Sequence, residues 1–120
     1  MIVDDHEMFR EVLSLALAEY DHLAVPFAAS SGEEALGLLA SAKPDVVLMD
    51  ISLPGINGLE ATRQALAIRP MQIIVLSMHD RNAYEPAALE AGACAYAFKA
   101  SPIPELVHLI EQVAVGRRVS

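Results

Sequence analysis

Short apolar runs alternate with longer amphipathic stretches along the whole chain. The short runs are Met1–Val3, Leu23–Ala28, Asp45–Met49, Ile73–Ser77 and Cys94–Phe98. They are aliphatic or β-branched and nearly continuous, the pattern of parallel strands covered on both faces. Between them the periodicity predicts helices near His6–Tyr20, Gly32–Ser41, Gly58–Ile68, Arg81–Ala91 and Ile103–Val115. In the first, Phe9, Val12, Leu13, Ala16 and Leu17 recur at helical spacing and make one apolar face; in the last, Leu106, Leu109, Ile110 and Val113 do the same. Ser30 or Ser31 is placed to cap the second helix, with Glu33 and Glu34 in its first turn. Gly92 follows the fourth helix, where a left-handed residue ends a helix at low cost. Pro86 falls inside the fourth pattern, so that helix is expected to begin near Glu85 and to be short.

Five strand–helix units in strict alternation predict an α/β fold with a parallel sheet and right-handed crossovers. Residues 1–120 read as one domain, without linker, internal repeat or effector domain. A chain of 120 residues that is 54 % hydrophobic can bury a core of its own, and disorder is excluded. The single cysteine, Cys94, leaves no internal disulfide and fits a reducing cytoplasm. The opening MIVDDHEMF lacks the basic and apolar regions of a secretory signal. No stretch approaches the roughly 18 apolar residues of a membrane helix. A net charge of −8 sets the chain against nucleic-acid phosphates, so direct binding to DNA or RNA is not expected.

In open parallel sheets the functional site lies at the carboxyl edge of the strands. The residues delivered there are Asp4 and Asp5 after the first strand, Asp50 after the third, Ser77 at the end of the fourth and Lys99 at the end of the fifth. Any one of them alone is more often a turn residue, a strand-end hydroxyl or a surface charge. Their convergence carries the functional reading. Three neighbouring carboxylates repel one another unless a cation sits among them, and few hard oxygen ligands suit Mg²⁺. An aspartate at a fixed strand end can act as nucleophile on a phosphoryl group. The metal and Lys99 would offset charge on its oxygens, and Ser77 could donate to one of them. His6, His22, His79 and His108 have no metal-ligand spacing, and His22 and His108 read as surface residues. The methionines and Tyr84 read as core or helix-face residues.

The segments VDDH, VVLMDISLPGINGLEA, IIVLSMHD and AYAFKAS, taken together and in this spacing, resemble the receiver domains of bacterial response regulators over essentially the whole chain. The wording of VDDH, DISLPGINGLE and LSMHD is similar to the NarL/FixJ subgroup. The resemblance implies the flavodoxin-like (CheY-like) fold: five parallel strands in order 2-1-3-4-5, with helices on both faces. It implies that Asp50 is the phosphoacceptor and that Asp4, Asp5, Asp50 and the backbone carbonyl of Ser52 serve the Mg²⁺ ion. Ser77 and Lys99 match the hydroxyl and the ammonium that engage the phosphoryl group, and Ser77 and Tyr96 match the switch pair. Ser52 and His79 match the positions flanking phosphoryl access, where slow autodephosphorylation is expected. The implied partners are a sensor histidine kinase, a second copy on phosphorylation and an effector, usually a helix-turn-helix DNA-binding domain, which this chain does not contain. The domain would then be a signalling phosphoacceptor rather than an enzyme. Two departures stand out: only Met1, Ile2 and Val3 precede Asp4, and Ala100 replaces the proline that often follows the lysine.

Two other readings fit parts of the pattern. A Mg²⁺-dependent phosphohydrolase with an aspartyl nucleophile would usually carry a second acid two residues on, where this chain has Ser52. A degenerate receiver that binds partners without phosphorylation would not need the full set of acids, Ser77 and Lys99.

Overall fold

The computed structural model describes residues 1–24, 27–78 and 81–114, without the side chains of residues 81 and 82. In chain order the elements are β1 (Ile2–Val3), α1 (Glu7–Ala18), β2 (Ala28–Ala29), α2 (Gly32–Ala42), β3 (Val46–Asp50), α3 (Gly58–Ile68), β4 (Gln72–Ser77), α4 (Arg81–Glu90), β5 (Ala95–Phe98) and α5 (Ile103–Ala114). The five strands form one sheet in the order β2-β1-β3-β4-β5, and every pairing is parallel. This is the doubly wound architecture the sequence predicts.

Alternate residues of each strand face opposite sides, and both sides are apolar. Val3, Val47, Met49, Ile73 and Val75 pack with Ala35 and Leu39 of α2, Ala61 and Ala65 of α3, and Ala88 of α4. Ile2, Leu48, Ile74 and Leu76 pack with Leu13 and Leu17 of α1 and with Leu106, Val107, Ile110 and Val113 of α5. Burying each of these larger aliphatic side chains contributes roughly 1.5–3 kcal/mol. That layering holds β1, β3, β4 and β5 in register, and their carboxyl ends share one edge.

The helix starts are set by local polar groups. Ser31 Oγ accepts from the Glu34 amide (3.1 Å), and Glu34 Oε1 accepts from the Ser30 amide (2.9 Å). Ser31 is therefore the cap, and both bonds satisfy amides near the start of α2. Asn57 Oδ1 caps α3 in the same way, accepting from the Glu60 amide at 2.9 Å. Gly92 has φ +109°, the left-handed conformation expected after α4.

Four expectations are corrected. β2 is Ala28–Ala29 rather than Leu23–Ala28: the Leu23 amide closes a turn onto the Tyr20 carbonyl at 2.9 Å and so is spent on ending the first helical segment. Helix α4 does not begin near Glu85; it spans Arg81–Glu90 with Pro86 inside it. The proline removes one bond, to the carbonyl of residue 82 in the first turn. The rest of the helix is held against the sheet through the fully buried Ala88. Val12 is not a core residue: it is 58 % exposed, and with Met8 and Leu15 it lines the outer surface of α1. Met78, just past β4, is exposed and on no helix, whereas Met8 and Tyr84 lie on the faces of α1 and α4 and Met1 and Met49 are in the core, as expected.

Candidate functional site

Asp4 follows β1, Asp50 ends β3, Ser77 ends β4, and Lys99 follows β5. Register fixes their spacing across the edge, because Asp50 pairs with Leu76 and Ser77 pairs with Phe98. The Ile51 amide donates to Leu76 O (2.9 Å) and the Lys99 amide to Ser77 O (2.8 Å), so the ladder continues one step past the regular strands. Asp4, Asp50 and Ser77 are buried, and Asp5 is partly open to solvent.

The loop between β3 and α3 presses close behind Asp50. The Gly58 amide donates to Ile51 O at 3.0 Å, and a Cβ at position 58 would lie 2.1 Å from the Asp50 carbonyl oxygen. Only glycine permits that approach. Thr62 Oγ1, fully buried, donates to Gly58 O at 2.7 Å and secures the turn from below.

The Lys99 side chain is 5 % exposed, so it is not the solvated surface charge that a lone lysine usually is. Its Nζ lies 2.6 Å from Asp4 Oδ2 and 3.6 Å from Asp50 Oδ2. The ammonium therefore rests chiefly on Asp4. It also sits over the Phe9 ring, 4.4 Å from the centroid. Asp50 Oδ1 accepts from the Ser52 amide at 3.2 Å, while Oδ2 is buried with no hydrogen-bond partner among the described residues. Burial pushes the Asp50 carboxyl above the ordinary aspartate range, and the Asp4 charge adds to the shift; Lys99 and the Ser52 amide oppose it, and Asp5 reinforces it.

One donor atom from each of Asp4, Asp5, His6 and Asp50 lies within 4.8 Å of the other three. Three carboxylates and an imidazole at that separation could hold a divalent cation, and the orphaned Asp50 Oδ2 is the kind of buried acceptor that a cation would satisfy. Sequence spacing passed over His6: its Nδ1 stands 3.1 Å from Asp4 Oδ1 and 3.4 Å from Asp5 Oδ1. Adjacency to the acid pair was the available signal. Phe9 and Arg10 were also missed as site residues. Phe9 supports the lysine, and Arg10 Nη1 donates to Asp4 O at 2.6 Å, tying α1 to the end of β1. Helical periodicity marked Phe9 only as a core contact.

Ser52 is exposed and two residues beyond Asp50. His79 lies outside the described residues. His22 and His108 are exposed, as expected, with His22 paired to Glu111 at 2.6 Å. Tyr96 is buried in β5 against the face that carries α4, and its hydroxyl has no hydrogen-bond partner among the described residues. No helix among the described residues is long and apolar enough to cross a membrane.

Comparison with known proteins agrees with this geometry. Residues 1–111 match the family model of the response regulator receiver domain. Response regulator GacA of Pseudomonas aeruginosa is 39 % identical over 98 % of this chain and 56 % of its own length. Response regulator UvrY of Escherichia coli K12 is 39 % identical over 98 % of this chain and 55 % of its own, and transcriptional regulatory protein DegU of Brevibacillus brevis is 38 % identical over 97 % and 50 %. The chain thus spans about half the length of the curated relatives it matches. Among solved structures, a LuxR-family two-component response regulator from Aurantimonas superposes with TM-score 0.94 at 38 % identity, covering 100 % of this chain and 86 % of that one. The receiver domain of a NarL regulator from Mycobacterium tuberculosis gives 0.90 at 32 % identity over 97 % and 94 %. By sequence and fold alike, this chain belongs to the response regulator receiver domain family of two-component signalling, on its NarL/FixJ side.

Proposed function

We propose that Asp50 accepts a phosphoryl group from a sensor histidine kinase, with Asp4, Asp5, Asp50 and the backbone carbonyl of Ser52 serving a Mg²⁺ ion. One observation carries this reading. Asp50 is a carboxylate 2 % exposed whose Oδ2 has no hydrogen-bond partner among the described residues, 3.6 Å from a buried ammonium. Such an oxygen is costly to keep for stability alone and well suited to attack an electrophile that arrives with its own charge compensation. Bound Mg²⁺ supplies that compensation on the phosphoryl oxygens. An Asp50 oxygen bonds to phosphorus while the bond from phosphorus to the donor breaks; the donor keeps the electron pair and takes up a proton. Lys99 then shares its charge between Asp4 and a phosphoryl oxygen, and the Ser77 hydroxyl donates to another.

Drawing Ser77 toward the phosphoryl group opens room beside β4. The Tyr96 ring moves into it and exchanges an unsatisfied hydroxyl environment for a hydrogen-bonded one. The surface of α4, β5 and α5 changes with it, favouring a second copy or an effector. The name of one relative, transcriptional regulatory protein DegU, supports a role in the control of transcription. This acidic domain itself would not contact DNA. Ser52 and His79 match the family positions that flank phosphoryl access, and slow loss of the phosphoryl group is expected on that resemblance; His79 itself lies outside the described residues.

The test is incubation with acetyl phosphate and Mg²⁺ followed by intact-mass measurement. Wild type should gain one phosphoryl group and Asp50→Asn none. Equal labelling of both would overturn the assignment.

A further inference from the structure

We infer that Glu33, in the first turn of α2, is a positioning residue for phosphorylation: it fixes the loop from Ile51 to Asn57 and, through that loop, the orientation of the Asp50 carboxylate. The inference rests on the reading of Asp50 as the phosphoacceptor. Glu33 lies outside the acid cluster. Its Oε2 accepts from the Ile56 amide at 3.2 Å, a bond that spans 23 residues and joins α2 to the loop before α3. The carboxylate charge strengthens a bond of that kind. Gly55 leaves room for it, since a Cβ there would collide with Glu33 Oε2. The Ile56 side chain rests on Gly32, where a Cβ would come within 2.8 Å of Ile56 Cγ1.

An acid in the first turn of a helix commonly serves the helix itself. In α2 that work falls to Glu34, whose Oε1 accepts from the Ser30 amide at 2.9 Å and whose own amide is capped by Ser31 Oγ. Glu33 reaches across to another element instead.

The loop bears on Asp50 because its first residues bind that side chain. The Ser52 amide donates to Asp50 Oδ1 at 3.2 Å, which leaves Oδ2 on the Lys99 side, 3.6 Å from Nζ. The far end is fixed by the Gly58 amide on Ile51 O and by the Asn57 cap of α3. Between those ends Ser52, Pro54 and Gly55 are exposed, and the Glu33 bond ties this stretch to α2. Without it the Ser52 amide loosens, and Asp50 spends less time with an oxygen aimed at an incoming phosphorus.

Two measurements on the full chain test this: labelling by acetyl phosphate with Mg²⁺ over a range of donor concentrations, and amide hydrogen exchange at Ile56. Glu33→Ala should lose about fivefold in maximal labelling rate, with little change in the half-saturating donor concentration. Its Ile56 amide should exchange about tenfold faster. Glu33→Gln loses the same charge at the helix start but keeps an acceptor, so it should recover most of the rate and of the protection. Glu34→Ala, which breaks the reciprocal cap of α2, should melt lower than wild type yet label at the wild-type rate. Wild-type labelling by Glu33→Ala overturns the positioning role. So does equal slowing in Glu33→Ala and Glu33→Gln, or equal slowing in Glu34→Ala, which would trace the effect to helix stability. A wild type that takes up no phosphoryl group overturns the phosphoacceptor reading and the positioning role with it, while Ile56 exchange still reports the loop contact by itself.

Discussion

Asp50 is held in a state that folding alone would not select. Its carboxyl is displaced upward by burial and by Asp4, so the folded protein holds that proton more tightly than the unfolded chain does. The associated stability is fully present below the unfolded pKa and is lost as pH rises through the folded value. In metal-free protein, Asp50→Asn should therefore melt higher than wild type at neutral pH, and the gap should close as the buffer is acidified through the carboxylate range. Lys99 is not stranded by the change, since Asp4 holds it at the shorter distance of 2.6 Å. An Asn variant that melts lower than wild type at neutral pH would contradict this account. Phe9 is the second residue whose role is sharp. Leucine there keeps apolar volume but removes the ring face beneath the ammonium. Phe9→Leu should cost about 0.5–2 kcal/mol in urea unfolding, and Phe9→Tyr, which keeps the face, much less. Equal losses for the two variants would show that packing, not the cation–ring contact, matters.

At the scale of elements, two glycines in neighbouring helices should respond oppositely to the same methyl group. In α3, a Cβ at Gly58 would meet Asp50 O at 2.1 Å and Ile51 Cα at 2.8 Å; both are backbone, so β3 or the helix must shift. Gly58→Ala should destabilise by about 3 kcal/mol or more and slow phosphorylation, because the displaced backbone is that of Asp50. In α2, a Cβ at Gly37 meets nothing within 4 Å. Gly37→Ala should stabilise by about 0.5–1 kcal/mol through helix propensity and leave phosphorylation unchanged. Thermal melts with acetyl phosphate labelling separate the two; a neutral Gly58→Ala would mean that the β3–α3 junction yields more easily than its packing implies.

Over the whole molecule, the two layers on the sheet have different parts to play. Helices α1 and α5 cover one face, and α2, α3 and α4 cover the other, where Tyr96 packs near Ala88. A change at Asp50 passed through Ser77 and Tyr96 should therefore appear in α4, β5 and α5 rather than in α2. Amide hydrogen exchange with and without beryllofluoride checks this. Altered protection is expected within residues 81–114. Changes confined to the loops beside Asp5 and Asp50 would show that the signal stays at the site.

Much of this protein was legible in its sequence, because parallel strands covered on both faces need unbroken apolar runs and the helices between them need a repeating stripe. The alternation therefore determined the class of fold, the order of elements and the edge at which Asp4, Asp5, Asp50, Ser77 and Lys99 gather. Local chemistry also determined the Ser31 cap and the Gly92 turn, whose partners lie within a few residues. Packing decided the rest. Whether Val12 points inward depends on how α1 is rotated against the sheet, and a stripe read at helical spacing does not specify that rotation. Whether Pro86 ends a helix depends on how strongly Ala88 is buried as α4 packs beside β5. Tertiary structure also placed Lys99 against Asp4 and over Phe9, and brought the His6 ring up to the acids. Those are distances between side chains set by strand register and helix position, which no spacing along the chain encodes.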